Sequence, residues 1–256
     1  MEKIRLENVS KRFKLSFQPK EGILYRILEL FFQNKKTSSV FWGLRDISLS
    51  VKAGEIVGII GRNGSGKSTL LRVIAGVYKK NGGKITTIGE SIYINGINHG
   101  LRPKLTMREN IFLMGTILGL NQKDITTIFD QIVDFSDLRD YLDIKLTKFS
   151  SGMIVRLAYS ITIHCILSRE ADIVLLDEVF STSGDIFFQN KSLDKLVELQ
   201  GKGIAVIIVS HDLELIKKYC QKVIWIEEGK IISEGDPQIL SESYRKFYPT
   251  GKGGLD

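Results

Sequence analysis
An apolar stretch, Ile56-Val57-Gly58-Ile59-Ile60, runs directly into Gly61-Arg62-Asn63-Gly64-Ser65-Gly66-Lys67-Ser68-Thr69. This is the spacing of a phosphate-binding loop, and it constrains the fold because such a loop works only between a buried strand and a helix. Gly61, Gly64 and Gly66 let the backbone curl so that successive N–H groups, including those of Asn63, Ser65 and Thr69, face phosphate oxygens. Lys67 then reaches the β- and γ-phosphates, and the Ser68 hydroxyl is placed to ligand Mg²⁺. The helix that follows, read as Lys67 to Val77, presents its positive end to the phosphates and packs Leu70, Leu71, Val73, Ile74 and Val77 on a sheet. A nucleoside-triphosphate site is the expectation.

The chain has 256 residues, of which 43% are hydrophobic and 25% charged, enough to bury the core of one α/β domain with a subdomain. No contiguous apolar run approaches the roughly 18 residues that cross a bilayer, and the opening Met1-Glu2-Lys3-Ile4-Arg5 lacks the apolar centre of a signal peptide. A cytosolic chain, held at a membrane only by a partner, is the expectation. Cys165 and Cys220 stand in apolar or helical contexts, which suits reduced packing residues rather than a zinc site or a disulfide framework. The net charge of +7 suits nucleic acid, an anionic membrane or simple solubility equally.

Ile4 to Val9 alternates as a half-buried strand does, and Leu44 to Val51 repeats the pattern, predicting two antiparallel strands. Ile173 to Leu176 and Ile204 to Val209 are almost wholly apolar and read as central strands of a parallel sheet. Between Leu105 and Cys165 the helical spacing of Ile125, Ile128, Phe129, Ile132 and Val133, and of Leu157, Ile161 and Cys165, predicts an inserted helical subdomain. A helix after Asp212, a strand at Val223 to Ile226, a Glu228-Gly229 turn, a further strand and a last helix from about Asp236 close the domain. Residues 249–256 read as a flexible tail.

Two acids, Asp177 and Glu178, stand at the end of the Ile173 strand, where the first can hold Mg²⁺ and the second can orient or deprotonate the attacking water. His211 follows the next apolar strand, where it can bond a γ-phosphate. Between the phosphate loop and the acids lies Phe149-Ser150-Ser151-Gly152-Met153, leading into the helix Ile154-Val155-Arg156-Leu157-Ala158. This segment resembles the signature sequence of ATP-binding-cassette ATPases, and the order of all four motifs matches that family over most of the chain.

The resemblance implies a phosphate-loop NTPase of the cassette type, with a mixed core sheet, an antiparallel β subdomain and an inserted α-helical subdomain over about 100–165. It implies ATP and Mg²⁺ as ligands, Ser68 and Asp177 at the metal, and Glu178 and His211 in catalysis. Ser150, Ser151, Gly152 and Met153 would serve the ATP held by a second copy, so that ATP joins two cassettes head to tail. The family's adenine-stacking aromatic maps best onto Phe13, with Phe41 and Trp42 as alternatives. The chain departs from the family in having Ser151 and Met153 where a glycine and a glutamine are usual. It also lacks a glutamine or glutamate in Tyr93 to Gly100, leaving Asn95 or Asn98 as the metal-side candidates, and has one extra residue before Asp185, the candidate dimer contact.

Residues 14–43 are a longer link than cassettes usually carry and include Ile23 to Gln33, in which Arg26, Glu29 and Gln33 form a narrow polar arc. This gate-like amphipathic insertion, the pair Phe41-Trp42, the signature, Leu105 to Ile111 and Gly184 to Gln189 resemble the exporter branch for O-antigen, capsule or teichoic-acid polymers. That branch implies a nucleotide-binding domain over 1–248 that pairs with itself and with two copies of a polytopic permease, on the cytoplasmic face of the membrane and without nucleic acid. The alternatives are a cassette of another exporter, a soluble cassette ATPase acting on nucleic acid or ribosomes, and a regulatory module without turnover. The single cassette disfavours the soluble class, and the presence of Glu178 and His211 disfavours the last.

Overall fold
The computed structural model describes residues 1–15, 39–96, 100–169, 171–180 and 186–248. Ile23 to Gln33, Asn98, Asp185 and the tail 249–256 lie outside them. Two long strands, β1 (Glu2–Leu15) and β2 (Ser39–Lys52), pair antiparallel, with β4 (Gly82–Thr87) on the other edge of β1. The sequence places Ile4 to Val9 of β1 and Leu44 to Val51 of β2; their pairing runs on from Leu6↔Leu49 to Phe13↔Phe41 and Lys14↔Val40 through several register shifts.

The second sheet has the order β5-β6-β7-β3-β8-β9, formed by β3 (Ile56–Ile60), β5 (Ser91–Asn95), β6 (Ile173–Asp177), β7 (Ala205–Val209), β8 (Lys222–Glu227) and β9 (Lys230–Gly235). Its first five strands run parallel and β9 closes it antiparallel. Strands β3, β6 and β7 are buried at every position, as expected where both faces of a parallel sheet are covered. Their register sets Ile59 beside Val209 and Val209 beside Asp177, so their C-terminal ends share one edge of the sheet. That edge is where open α/β sheets bind ligands.

Helix α1 (Lys67–Ile74) stops three residues short of the sequence expectation, because Gly76 takes a left-handed φ of 73° and turns the chain away. Val77, expected on the sheet, is exposed instead. Leu70, Leu71, Val73 and Ile74 do pack against the two sheets, within one core shared with Ile4, Leu6 and Leu49. The helical subdomain contains α2 (Met107–Ile117), α3 (Gln122–Ser136) and α4 (Ser151–Ser168), around its own core of Met107, Ile111, Ile132 and Leu157. Helix α2 begins at a capping box, in which the Thr106 hydroxyl accepts from the Glu109 amide while the Glu109 carboxylate accepts from the Thr106 amide.

Helix α4 is long and apolar enough, by length and composition, to cross a membrane, although Arg156, Ser160, Thr162 and His164 break up its apolar residues. Most of its residues from Val155 to Ile166 are buried, shared between the helical core and the sheet core, as in the core helix of a water-soluble domain. Helices α5 (Ile186–Gly201), α6 (Leu213–Tyr219) and α7 (Pro237–Phe247) complete the layer around the sheet. Cys165 and Cys220 are both buried and free, and burial pushes each thiol up to about 12.

Candidate functional site
The loop between β3 and α1 is pinned from below. The Gly229 amide donates to the Ser65 carbonyl at 2.8 Å, and the Arg45 amide donates to the Gly229 carbonyl at 2.7 Å. Two glycines are required by this packing. Gly61 and Gly66 have φ of 152° and 113°, and a Cβ would lie 2.1 Å from the Ile226 carbonyl oxygen at the first and 2.6 Å from the Gly43 carbonyl oxygen at the second. Gly66 is also the residue at the N-terminus of α1, so the free N–H groups of that helix open onto the loop.

Lys67 is 6% exposed, and its ammonium donates to the carbonyls of Gly61 and Arg62, each at 2.8 Å. Burial lowers its pKa, against the opposing pull of Glu178, Asp177 and Glu227. A buried ammonium of this kind gains from an anionic ligand, which a phosphate supplies. The Ser65 hydroxyl, in a residue 3% exposed, has no hydrogen-bond partner among the described residues, an open polar atom inside a loop shaped for polar ligands.

Asp177 ends β6 and is 1% exposed. Its Oδ1 accepts from the Ser68 hydroxyl at 2.9 Å and its Oδ2 from the Tyr93 hydroxyl at 2.9 Å. Ser68 and Asp177 are hard oxygen donors of the kind Mg²⁺ takes when phosphates and water complete its shell. Among the described residues no cluster of three His, Cys, Asp or Glu side chains forms an all-protein cage, and a phosphate-bound Mg²⁺ does not need one.

Glu178 sits on the turn after β6 with φ of 55°, the left-handed region that disfavours any residue with a Cβ. Its amide donates to the Val209 carbonyl at 3.1 Å, tying the turn to β7. The loop beyond β7 is held by the Asp212 amide donating to the Ser210 hydroxyl at 3.0 Å, and Asp212 then caps α6. Between these anchors the His211 Nε2 comes to 3.2 Å from the Glu178 carboxylate. Lys67, Ser68, Thr69, Gly64, Glu178 and His211 line one open cleft of about 270 Å³ together with Phe41 and Gly43. A second opening of about 330 Å³, lined by Trp42, Arg45, Arg62 and Glu227 among others, adjoins the same loop.

Phe13, the first choice for base stacking, lines neither opening. Its ring meets Tyr78 edge-on at 5.5 Å and carries the Lys11 ammonium 4.9 Å from its centre. The aromatic at the cleft is Phe41, its neighbour in the strand register, which is 51% exposed. Trp42 borders the second opening.

None of the signature residues lines either opening. The Ser150 hydroxyl caps α4 by accepting from the Met153 amide at 3.2 Å. Ser150 and Ser151 are exposed, and among the described residues a Cβ on Gly152 would meet only the Ser150 hydroxyl, at 3.9 Å. The cap thus leaves its face open. Asn95 lies beside Asp177 in the strand register but is exposed, and the residue of β5 that hydrogen-bonds Asp177 is Tyr93. No local pattern marks Tyr93, Arg45 or Glu227, since each sits on a strand that pairing with distant segments brings to the site.

The profile of the family described as ABC transporter matches residues 44–181. Among curated relatives, the chain is 36% identical over 248 residues to the O-antigen export system ATP-binding protein RfbB of Klebsiella pneumoniae, covering 95% of this chain and 97% of that protein. It is 36% identical over 245 residues to the teichoic acids export ATP-binding protein TagH of Lactococcus lactis, covering 96% of this chain and 51% of that protein. The chain therefore spans about half the length of this TagH. Among solved structures, the ATP-binding cassette MJ0796, described as dimeric in a post-hydrolysis state bound to ADP and Pi, superposes with a TM-score of 0.68 at 21% identity. That match covers 91% of this chain and 98% of the cassette, and it bears on the fold.

Proposed function
This chain belongs to the ABC transporter family, and on that premise we propose that it binds and hydrolyses ATP to drive export of a lipid-linked polysaccharide of the O-antigen or teichoic-acid kind. The polymer class rests on the relatives that match nearly the whole chain. The chemistry rests on one observation: a single cleft brings together Lys67, Ser68, Glu178 and His211, with Asp177 hydrogen-bonded to Ser68.

In this reading the loop amides and Lys67 bind the phosphates, and Ser68 and Asp177 would hold Mg²⁺, which when bound would supply charge neutralisation for the phosphates. Glu178 accepts a proton from the attacking water, and His211, against the Glu178 carboxylate, orients it and reaches the γ-phosphate. Phe41 offers its exposed ring to the base. Ser150, Ser151, Gly152 and Met153 complete the site on a second copy, because their open cap lies outside the cleft of their own chain. The working assembly is two copies of this chain with two copies of a polytopic permease on the cytoplasmic face of the membrane. Residues 1–248 act as one nucleotide-binding unit, with 14–43 as an inserted contact segment.

Depleting the chain in its own cell tests the transport reading. Surface polymer should fall and lipid-linked polymer accumulate inside, with rescue by the parent but not by a Lys67→Ala copy; unchanged surface polymer would remove the export assignment. The two-copy site has a separate test. The Glu178→Gln protein is expected to sediment as a monomer without nucleotide and as a dimer in saturating ATP and Mg²⁺. A monomer under both conditions, with the permease also present, would show that the cap on α4 serves no second nucleotide.

A further inference from the structure
We propose that Tyr93, on β5, is a positioning residue that fixes the Asp177 carboxylate for Mg²⁺. The proposal rests on the reading of Asp177 as the metal carboxylate.

Asp177 is buried, and a buried carboxylate must have its oxygens satisfied. Two hydroxyls do this from opposite sides: Ser68 on Oδ1 and Tyr93 on Oδ2, both at 2.9 Å. Ser68 is the residue that would carry the metal, so its bond to Asp177 belongs to the metal site itself. Tyr93 touches only the far oxygen. It can therefore set the carboxylate's rotation without competing for the ion, in the manner of the outer partners that orient metal ligands.

The direction of the Tyr93 hydroxyl is itself imposed. Arg72 Nε donates to the phenol oxygen at 3.1 Å, and a guanidinium can only donate. The phenol therefore accepts from Arg72 and gives its single proton to Asp177. Arg72 is anchored in turn, since a second guanidinium nitrogen donates to the Tyr78 hydroxyl at 3.3 Å. The backbone explains why these groups meet. Arg72 lies four residues after Ser68 on α1, hence on the same helix face. Tyr93 alternates with the buried Ile92 and Ile94 and so points to the α1 side, packing on the core that holds Leu70, Leu71 and Leu175. The helix that carries the metal hydroxyl thus also carries the cation that aims the phenol.

The test is Mg²⁺ titration of the binding of a fluorescent ATP analogue to the purified full-length chain, repeated in EDTA, for the parent, Tyr93→Phe and Arg72→Gln. The Tyr93→Phe protein keeps the ring and loses only the donor. It should need about tenfold more Mg²⁺ for half-maximal binding, the scale of outer-partner effects on metal affinity, with analogue binding in EDTA and the melting temperature close to those of the parent. Arg72→Gln should shift the Mg²⁺ midpoint in the same direction by less, and it decides the matter alone if Tyr93→Phe does not fold. Midpoints unchanged in both variants, or binding lost equally with and without Mg²⁺, would overturn the proposal and leave Tyr93 as packing. A parent whose binding ignores Mg²⁺ would overturn it differently, by removing Asp177 as the metal carboxylate, while nucleotide binding by the loop would still stand.

Discussion

Lys67→Ala is expected to weaken ATP binding by roughly 10- to 100-fold, because a hydrogen bond to a charged group contributes about 1.5–3 kcal/mol and each 1.4 kcal/mol is a factor of ten. The loss should be specific. Among the described residues Lys67 bonds only the Gly61 and Arg62 carbonyls, whereas the residues that seat α1, Leu70, Leu71, Val73 and Ile74, are untouched. Melting without nucleotide should therefore stay near the parent's, while the rise in melting temperature that ATP gives the parent should vanish. Calorimetric titration showing parental affinity in the variant would mean that the loop amides alone hold the phosphates.

Glu178→Gln should separate binding from turnover. The amide has the carboxylate's shape and keeps the bond from the residue 178 amide to Val209, but it cannot take a proton from water. Steady-state hydrolysis should fall roughly 10²–10⁴-fold, the usual contribution of a positioned base, with nucleotide affinity kept or raised. The fall should appear in kcat and kcat/KM alike, as it does when an interaction made only in the transition state is removed. Turnover equal to the parent's, measured with the permease bound, would move the role of base away from this residue.

The parts of the site legible in the sequence are those whose chemistry is packed into a few consecutive residues. The loop from Gly61 to Thr69 carries its own geometry, and the apolar run before Asp177 announces a buried strand with acids at its end. The helical subdomain was readable because α3 repeats its apolar face at Ile125, Ile128, Ile132 and Val133, each buried. The strand β4 was not, since Gly82–Thr87 has no alternation and no fully buried position; it exists because β1 supplies a partner edge. The short β5 is likewise a strand by virtue of its pairing with β6.

The choice of aromatic illustrates a second limit. Phe13 and Phe41 are cross-strand partners, so position along the chain cannot tell which ring faces the cleft. Contacts made elsewhere decide it: Tyr78 and Lys11 engage Phe13 while Phe41 remains half exposed. Tyr93 makes the same point for the metal side. On β5 the side chain that hydrogen-bonds Asp177 belongs to a tyrosine two positions before Asn95, aimed by an arginine from another element, while Asn98 lies outside the described residues.

The left-handed backbone at Glu178 has an outcome for directed evolution. A residue with a Cβ in that conformation costs about 1 kcal/mol, which glycine avoids and asparagine largely avoids. A library screened for heat resistance alone should therefore accumulate Gly or Asn at position 178 and return sturdier proteins that bind nucleotide without consuming it. Selection for transport would hold the glutamate in place, so the identity recovered at this one codon would report which pressure the population had experienced.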